Sequence, residues 1–479
     1  MRIVVIGAGV GGLGSALALS RQSHDVVVLE RDRTPLPHDP DEAFEWDRRG
    51  APQVRHSHAM LARLRNLLRD RYPDVLDALY AAGVTDWPLT KNLPPTIDDA
   101  TPQPGDDDLV MLACRRTTFE WVLRTTVLAA PHVSLLDGVV VDGLVGTDGR
   151  VTGVHATVDG ESKVFEADMV VAANGRRGDV GAWLAGVGVD CPETEEDTGI
   201  IYLSRFYRLR DGADVPPQAG PIGGDLGYLK YATFIGDNRS FSVTFATPVD
   251  DGELRAKLLD PETFERAGAA LPATNPWVDA TIAQPITPVH VMAKLLNRIR
   301  TFVDENGEPT VLGFHAVGDA HTCTNPLYGR GCSLAMVHAT LLADALDAHP
   351  DDAHARAIAF ETATAREIEP WYHAAVMADR ENRTSTRDDS ADGSGDESDP
   401  RAFMRSVMRE GLAPAMRTRQ RVFRAFLRTF NLLTTPDALL RDGELMTEVI
   451  EVYNDRDNRP PEIALGPATR ADFLAQLSA

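Results

Sequence analysis

The chain has 479 residues, 43% hydrophobic and 25% charged, enough to bury a large core and to divide into more than one lobe. A formal net charge of -23 repels polyphosphate backbones, which excludes nucleic acid as an expected partner, and no run reaches the roughly 18 apolar residues of a membrane span. Four cysteines, Cys114, Cys191, Cys323 and Cys332, form no CxxC pair and no zinc-like cluster; they exclude a disulfide scaffold and fit a reducing cytoplasm.

Residues 2–32 read as strand, tight turn, helix, strand, which is one βαβ unit. The apolar run Ile3–Ile6 starts too close to Met1 for a cleavable signal, so a cytoplasmic location is expected. Leu61, Leu64, Leu67 and Leu68 recur at helical spacing and predict a helix over about 58–70; residues 85–110, rich in Pro, Asp and Thr, read as a long connection. A helix over about 117–129 follows, then strands near 133–136, 139–145 and 151–158, the last two joined by a hairpin turn at Thr147-Asp148-Gly149. Between 198 and 303 the pattern changes to short β-like runs, 200–207, 228–235 and 240–248, with a helical piece near 251–270. This is the pattern of an inserted antiparallel sheet. The strand 310–317 and a small-residue helix 333–348 return to the first lobe. Residues 350–479 are helical, interrupted by the acidic run 388–400, whose composition disfavours a packed core and is expected to be disordered.

Gly7, Gly9 and Gly12 form GxGxxG between a buried strand and a helix, the context that gives the motif meaning. Gly7 permits the turn, Gly9 lets backbone approach a pyrophosphate, and Gly12 lets the helix sit close to the strand. The helix start offers free N–H groups and partial positive charge to phosphates. Glu30 ends the second strand, where a carboxylate accepts hydrogen bonds from ribose hydroxyls. A glycine-rich turn in an ordinary α/β sheet is the plainer reading, and the motif alone does not separate FAD from NAD.

Three further blocks carry a resemblance to a known family. The segment GDAHTCTNPLYGRGCSLA at 318–335 has Gly-Asp, a proline seven residues after the Asp, then Gly-x-Gly entering a helix. VVAANGRRGDVGAWL at 170–184 has Asn174-Gly175 at the end of a strand. Arg116, with Phe119 and Leu123, opens a helix. With GxGxxG, these resemble the FAD-dependent monooxygenases typified by para-hydroxybenzoate hydroxylase, squalene epoxidase and the polyether epoxidases. The resemblance covers about the first 350 residues. It implies an α/β fold: a Rossmann-type FAD lobe of the GR2 kind from 1–85, 110–197 and 304–349, a substrate lobe from 86–109 and 198–303, and C-terminal helices over 350–479.

It also implies cofactor contacts for Gly7, Gly9, Val10, Gly11, Gly12, Glu30, Arg31, Arg116, Val140, Asn174, Gly175, Gly318, Asp319, Pro326, Gly329, Gly331, Cys332 and Ser333. Asp319 takes the ribityl chain, and the 326–331 segment lies against the flavin ring. No metal is implied. The family's usual Asp-Gly is here Asn174-Gly175, which leaves two electron donors open: NAD(P)H bound transiently, or a separate flavin reductase acting as partner. Arg176 and Arg177 are candidates for phosphates or plain surface residues.

The implied reaction inserts one oxygen atom, by hydroxylation or epoxidation through a flavin hydroperoxide, into an apolar aromatic or isoprenoid/polyketide-like molecule, with oxygen as co-substrate. An FAD-dependent reductase of a lipophilic substrate, of the geranylgeranyl-reductase kind, shares the fold; a flavin-binding scaffold without turnover is a third reading. No reductase Tyr-x-Trp-x-Phe-Pro motif and no halogenase Trp-x-Trp-x-Ile-Pro motif is present. His56 and His58 stand near the expected flavin, or simply cap the helix that follows. Tyr202, Phe206, Tyr228, Tyr231, Phe234, Phe241 and Phe245 lie on the roof strands, one or two of them expected on the pocket; Tyr228 and Tyr231 join the two histidines as catalytic candidates. The helix 416–433 is basic and amphipathic, and reads either as a peripheral membrane or lipid contact or as a helix packed over the acidic body.

Overall fold

The computed structural model describes every residue except 92, 217–221, 389–399 and 479. The glycine motif joins a strand Arg2–Ile6 to a helix Val10–Ser20, and a strand Asp25–Leu29 follows. The two strands run parallel, with Val4 opposite Val27. They belong to a five-stranded parallel sheet ordered Phe314–Ala316, Met169–Ala172, Arg2–Ile6, Asp25–Leu29, Val133–Leu136. A parallel sheet is covered on both faces and so needs apolar side chains on both; Ile3–Ile6 and Met169–Ala172 are unbroken apolar runs, all buried.

One face packs on the helices Val10–Ser20, Arg116–Ala129 and Gly331–Ala348. A Cβ on Gly14 would lie 2.7 Å from Met336 Sδ and 3.3 Å from Ala339 Cβ, so this glycine sets how closely the first and last of these helices approach. The other face is covered by an antiparallel sheet of Val139–Thr147, Arg150–Val158 and Glu161–Glu166. Its first turn holds Asp148 at φ 50° and Gly149 at φ 73°, the paired left-handed residues that a two-residue hairpin prefers.

The inserted sheet is antiparallel, ordered Gly223–Asp225, Lys230–Ile235, Ser240–Pro248, Ile200–Leu209, Ala283–Pro285, with His290–Met292 also paired to Ile200–Leu209. Its strands alternate cleanly. Leu203, Tyr207, Tyr231, Phe241, Val243 and Phe245 point to one side, where they pack on Leu254, Leu258 and Phe264, and on Phe473 and Leu477 of the helix Arg470–Ser478. Each fully buried aromatic there stabilises by roughly 2–3 kcal/mol. The opposite side of the same strands faces the parallel sheet.

Several expectations change. The helix expected from 58 begins at Ala62, and residues 56–61 form a loop; neither His56 nor His58 caps the helix, whose first N–H is instead met by Asn431 Oδ1 at 3.1 Å. The 85–110 connection contains a strand pair, Thr85–Pro88 with Val110–Ala113. A three-stranded sheet of Glu193–Asp197, Leu296–Arg300 and Thr322–Cys323 ties the insertion to the first lobe. The basic helix is two, Ala413–Thr418 and Gln420–Phe430, broken at Arg419 with extended backbone. Its arginines turn to the protein: Arg424 to Asp106 at 2.7 Å, Arg421 to Glu444 at 2.7 Å, Arg417 to the Pro461 carbonyl at 2.5 Å. The acidic run at 388–400 lies, apart from its end residues, outside the described residues. Among the described residues, no helix is long and apolar enough to cross a membrane.

Candidate functional site

A cavity of ≈ 400 Å³ opens between the carboxyl ends of the parallel strands and the inserted sheet. Open α/β sheets bind ligands at this place, because the turns after neighbouring strands diverge there.

The glycine turn forms one wall. Gly7 has φ +99°, and a Cβ on Gly12 would lie 1.8 Å from the Gly7 carbonyl oxygen, so Gly12 must be glycine for the helix to start against the turn. A Cβ on Gly9 would meet nothing within 4 Å and would project into open space at the turn. No acidic side chain and no side-chain cap occupies the start of the helix Val10–Ser20, which leaves its first N–H groups available to an anion. Glu30 is held on the same wall: its Oε2 accepts from Ala8 N at 2.8 Å and its Oε1 from Asp32 N at 2.9 Å.

Behind that wall lies a buried ionic cluster that composition did not reveal. Glu120 is fully buried; one of its oxygens accepts from Arg48 Nη1 at 2.9 Å and the other from Arg116 Nε at 2.8 Å. Arg48 also donates to the Ala8 carbonyl at 3.1 Å and lies 3.7 Å from Glu30. Trp46 is flanked by the guanidiniums of Arg48 and Arg124, at 4.8 and 5.3 Å from its ring. Burial pushes the Glu120 carboxyl upward, but Arg116, Arg48 and Arg124 outweigh it and hold the group below the usual range. Arg48 Nε with Arg124 Nε and Nη1 have no hydrogen-bond partner. The cluster lies behind the glycine turn, where its arginines favour a bound anion.

The late motif forms the facing wall. Gly318 and Gly329 take left-handed φ of +62° and +64°, and a Cβ on Gly329 would lie 2.7 Å from Ala59 Cβ. Burial raises the Asp319 carboxyl, with Arg116, Arg176 and Arg298 opposing the rise. Burial likewise raises the Cys332 thiol, to about 11, so it is a neutral side chain. Arg298 donates to the Arg176 carbonyl at 2.6 Å and Arg300 to the Ala320 carbonyl at 2.6 Å, fastening two cavity loops to the strand Leu296–Arg300. Asn174 presents a buried Oδ1 without a partner.

Of the expected cofactor residues, Gly7, Gly9, Val10, Gly11, Glu30, Arg31, Arg116, Val140, Asn174, Gly175, Gly318, Asp319, Pro326, Gly329, Gly331 and Cys332 line this one cavity, as do Arg176 and Arg177. Gly12 and Ser333 are buried and lie off its lining.

The inserted sheet supplies the remaining wall through three cross-strand rows: Tyr202–Ala246–Lys230, Ser204–Thr244–Ala232 and Phe206–Ser242–Phe234. Tyr202, Tyr231 and Phe234 are the roof aromatics on the lining, and Met292, Leu296 and Leu327 extend the apolar surface. Tyr228 is off the lining. Its ring packs on Phe473 and its hydroxyl donates to the Pro467 carbonyl at 2.7 Å, which removes it from the catalytic candidates. Tyr231 lines the cavity, yet its hydroxyl is given to the Leu465 carbonyl at 2.7 Å. Alternation in the strand Lys230–Ile235 sets Tyr231 on the side of Leu203 and Phe245, opposite Lys230, Ala232 and Phe234, and Tyr228 lies before the strand.

Both histidines lie on the lining and differ in what they can do. His58 Nδ1 is 2.9 Å from the His56 carbonyl, which fixes the proton there, so Nε2 accepts from Arg116 Nη1 at 3.2 Å. His56 Nδ1 is 3.4 Å from Ser204 Oγ, and burial, with His290 and Arg176 adding, lowers its pKa to about 4. Ser57, between them, reaches across to Ser242 Oγ at 2.7 Å and Thr244 Oγ1 at 2.6 Å; Thr244 is 2.9 Å from Ser204. These hydroxyls were missed, although SFSVTFA shows polar residues at alternate positions of an otherwise apolar strand.

Residues 5–59 match the NAD(P)-binding Rossmann-like domain. Over 365 residues the chain is 30% identical to Protein Rv3254 of Mycobacterium tuberculosis, covering 72% of this chain and 73% of that one. Among solved structures, p-nitrophenol 4-monooxygenase PnpA from Pseudomonas putida matches with a TM-score of 0.61 at 17% identity, over 90% of this chain and 98% of that one. PqsL, a probable FAD-dependent monooxygenase from Pseudomonas aeruginosa, matches with a TM-score of 0.59 at 17% identity, over 81% and 97%. CmlS, a flavin-dependent halogenase, matches with a TM-score of 0.57 at 16% identity, over 99% and 76%.

Proposed function

The chain belongs to one family with Protein Rv3254 of Mycobacterium tuberculosis, and we propose that it is an FAD-dependent monooxygenase-type flavoprotein that hydroxylates or epoxidises an apolar small molecule of aromatic, isoprenoid or polyketide-like skeleton. The observation that carries this reading is the joining of two chemically different walls in one cavity: a glycine and arginine cradle on one side, an apolar sheet face on the other.

The residues present fit FAD. Cβ atoms on Gly9, Gly175 and Gly331 would meet no protein atom within 4 Å, so backbone there is open to a large planar or phosphorylated group. The buried N–H groups left without a partner on Arg48 and Arg124 favour an anion nearby. Residues 7–12 and Arg116 would hold the diphosphate, Glu30 the adenosine ribose, Asp319 the ribityl chain, and the 326–331 segment the ring. When bound and reduced, FAD supplies the electrons that activate oxygen. This chain's own part is to bind, orient and exclude water. The sheet rows hold the substrate's apolar skeleton, and the neutral His56 beside Ser204 keeps a polar contact without placing a charge in a dry site.

The test begins with bound flavin, quantified on purified protein, followed by anaerobic mixing with NADPH or NADH while the oxidised band near ~450 nm is watched, then oxygen. Bleaching by the nicotinamide and rapid oxygen uptake is the expected result. Bleaching only by dithionite or a separate flavin reductase, followed by the same uptake, identifies a two-component oxygenase. Reduced flavin that is inert to oxygen moves the assignment to a reductase of lipophilic substrates. Protein that binds no flavin overturns the proposal.

A further inference from the structure

The middle of the sheet wall is polar where its strands would ordinarily be apolar. Ser204, Thr244 and Ser242 are all buried, on the same face as Tyr202, Ala246 and Phe234, and the Ser57 hydroxyl meets them from the facing loop. Burying hydroxyls costs free energy unless they are paired, and Val or Ala would fill such positions without that cost. The four hydroxyls form a continuous chain: His56 Nδ1 to Ser204 Oγ at 3.4 Å, Ser204 to Thr244 at 2.9 Å, Thr244 to Ser57 at 2.6 Å, Ser57 to Ser242 at 2.7 Å. His56, Ser57, Ser204 and Thr244 line the cavity.

The chain is unbalanced in donors and acceptors. Each hydroxyl brings one proton and two lone pairs. Ser57 donates to Ser242, so Thr244 donates to Ser57, Ser204 to Thr244 and the His56 imidazole to Ser204. All three hydroxyl protons on the cavity lining are then spent inside the chain, and Ser57, Ser204 and Thr244 each keep a lone pair. The cluster is therefore an acceptor surface, which the hydroxyl proton of a ligand satisfies.

We propose that Ser57, Ser204 and Thr244, held by Ser242 off the lining, form a specificity site that accepts a hydrogen bond from a hydroxyl group carried by the substrate, and so fix the orientation of its apolar skeleton in the cavity. The proposal rests on the assignment of the sheet wall to the substrate. A merely structural cluster, pinning the 56–61 loop to the sheet, would be indifferent to the ligand's hydroxyl, and that difference is measurable.

The experiment is calorimetric titration of the flavin-loaded protein with 2-naphthol, 2-methoxynaphthalene and naphthalene, after its flavin content has been measured. 2-Naphthol is expected to bind about 3- to 10-fold more tightly than the other two, the range of one neutral hydrogen bond. Thr244→Val keeps the side chain's shape and is expected to erase that preference while leaving naphthalene affinity and flavin content as they were; Ser57→Ala is the second variant should the first misfold. Equal binding of the three ligands, binding of none of them, or an equal loss of all three in both variants overturns the proposal. Wild-type protein that takes up no flavin yet still prefers the naphthol separates the two readings: it sinks the oxygenase assignment and upholds the hydroxyl site.

Discussion

Arg116 Nη1 donates to His58 Nε2 across 3.2 Å, and this contact separates the two histidines on the cavity wall. With Nδ1 on the His56 carbonyl, both ring nitrogens of His58 are used, and its work is to hold Arg116 and the 56–61 loop in place. His58→Ala leaves Arg116 Nη1 and the His56 carbonyl without these partners, and is expected to cost about 1–3 kcal/mol and to release flavin more readily. Urea unfolding of the flavin-free protein and a flavin-retention assay check it. His56→Ala, whose ring makes one long contact, is expected to cost less.

Glu120 is the counter-charge for Arg48 and Arg116. Glu120→Gln keeps the shape but removes the carboxylate that pairs directly with Arg48 and Arg116, and is expected to destabilise by about 3–5 kcal/mol. Thermal unfolding without flavin reads the loss. A variant as stable as the parent would mean that the cluster is far better solvated than its burial indicates.

Gly9 and Gly12 lie in one motif and make opposite predictions. A Cβ at residue 12 runs into the Gly7 carbonyl, so Gly12→Ala is expected to lower the melting temperature even without cofactor. A Cβ at residue 9 meets only open space, so Gly9→Ala is expected to keep flavin-free stability within about 0.5 kcal/mol of the parent while losing flavin affinity. Equal flavin retention in Gly9→Ala and the parent would refute the cradle.

Stability is expected to fall on acidification. Burial is the main cause that lowers His56 to about 4 and His315 to about 3, against 6.5 for an ordinary imidazole. Between those values the unfolded chain takes up protons that the folded chain refuses. Each group's contribution is therefore complete above pH 6.5 and lost as pH falls toward its folded pKa, about 2 kcal/mol apiece by pH 5. Urea midpoints at pH 7.5, 6 and 5 measure the slope. His315→Leu is expected to shallow it, because His315 packs on Phe360 with its Nε2 unpartnered.

Arg424 clasps Asp106 through Nε at 2.7 Å and Nη2 at 2.9 Å, docking the helix Gln420–Phe430 on the 86–109 connection. Arg424→Ala is expected to speed hydrogen exchange across both segments with a loss of about 1–3 kcal/mol. Because Arg417, Arg421 and Arg424 are engaged, the parent is expected not to float with phosphatidylserine vesicles; flotation would restore the lipid-contact reading of this helix.

What the sequence made legible was local. The glycine turn, Glu30 and the Thr147–Gly149 hairpin each depend on residues within one turn of chain, so their spacing alone identifies them. The ionic cluster is not local: Arg48 meets Glu120 across much of the first lobe, and a charged residue carries no mark of its burial. The Arg116–Glu120 spacing of four on a helix was the available sign. Glu193–Asp197, sequence ETEED, carries no strand signal because acidic residues are poor strand formers; it is a strand because Leu296–Arg300 pairs with it and supplies Arg298 and Arg300. Residues 58–61 read as helix because leucine periodicity marks the helix body and leaves its start to the cap, here supplied by Asn431.

The parallel sheet takes its edge strand, Phe314–Ala316, from beyond the inserted sheet. On the ribosome, the glycine turn and Glu30 emerge early, beside a strand Met169–Ala172 whose outer edge has no neighbour. The wall that carries Asp319 and the 326–331 segment does not exist until the whole insertion has been made. On the proposed assignment, cofactor capture has to wait until residue 331 of the 479 has been made.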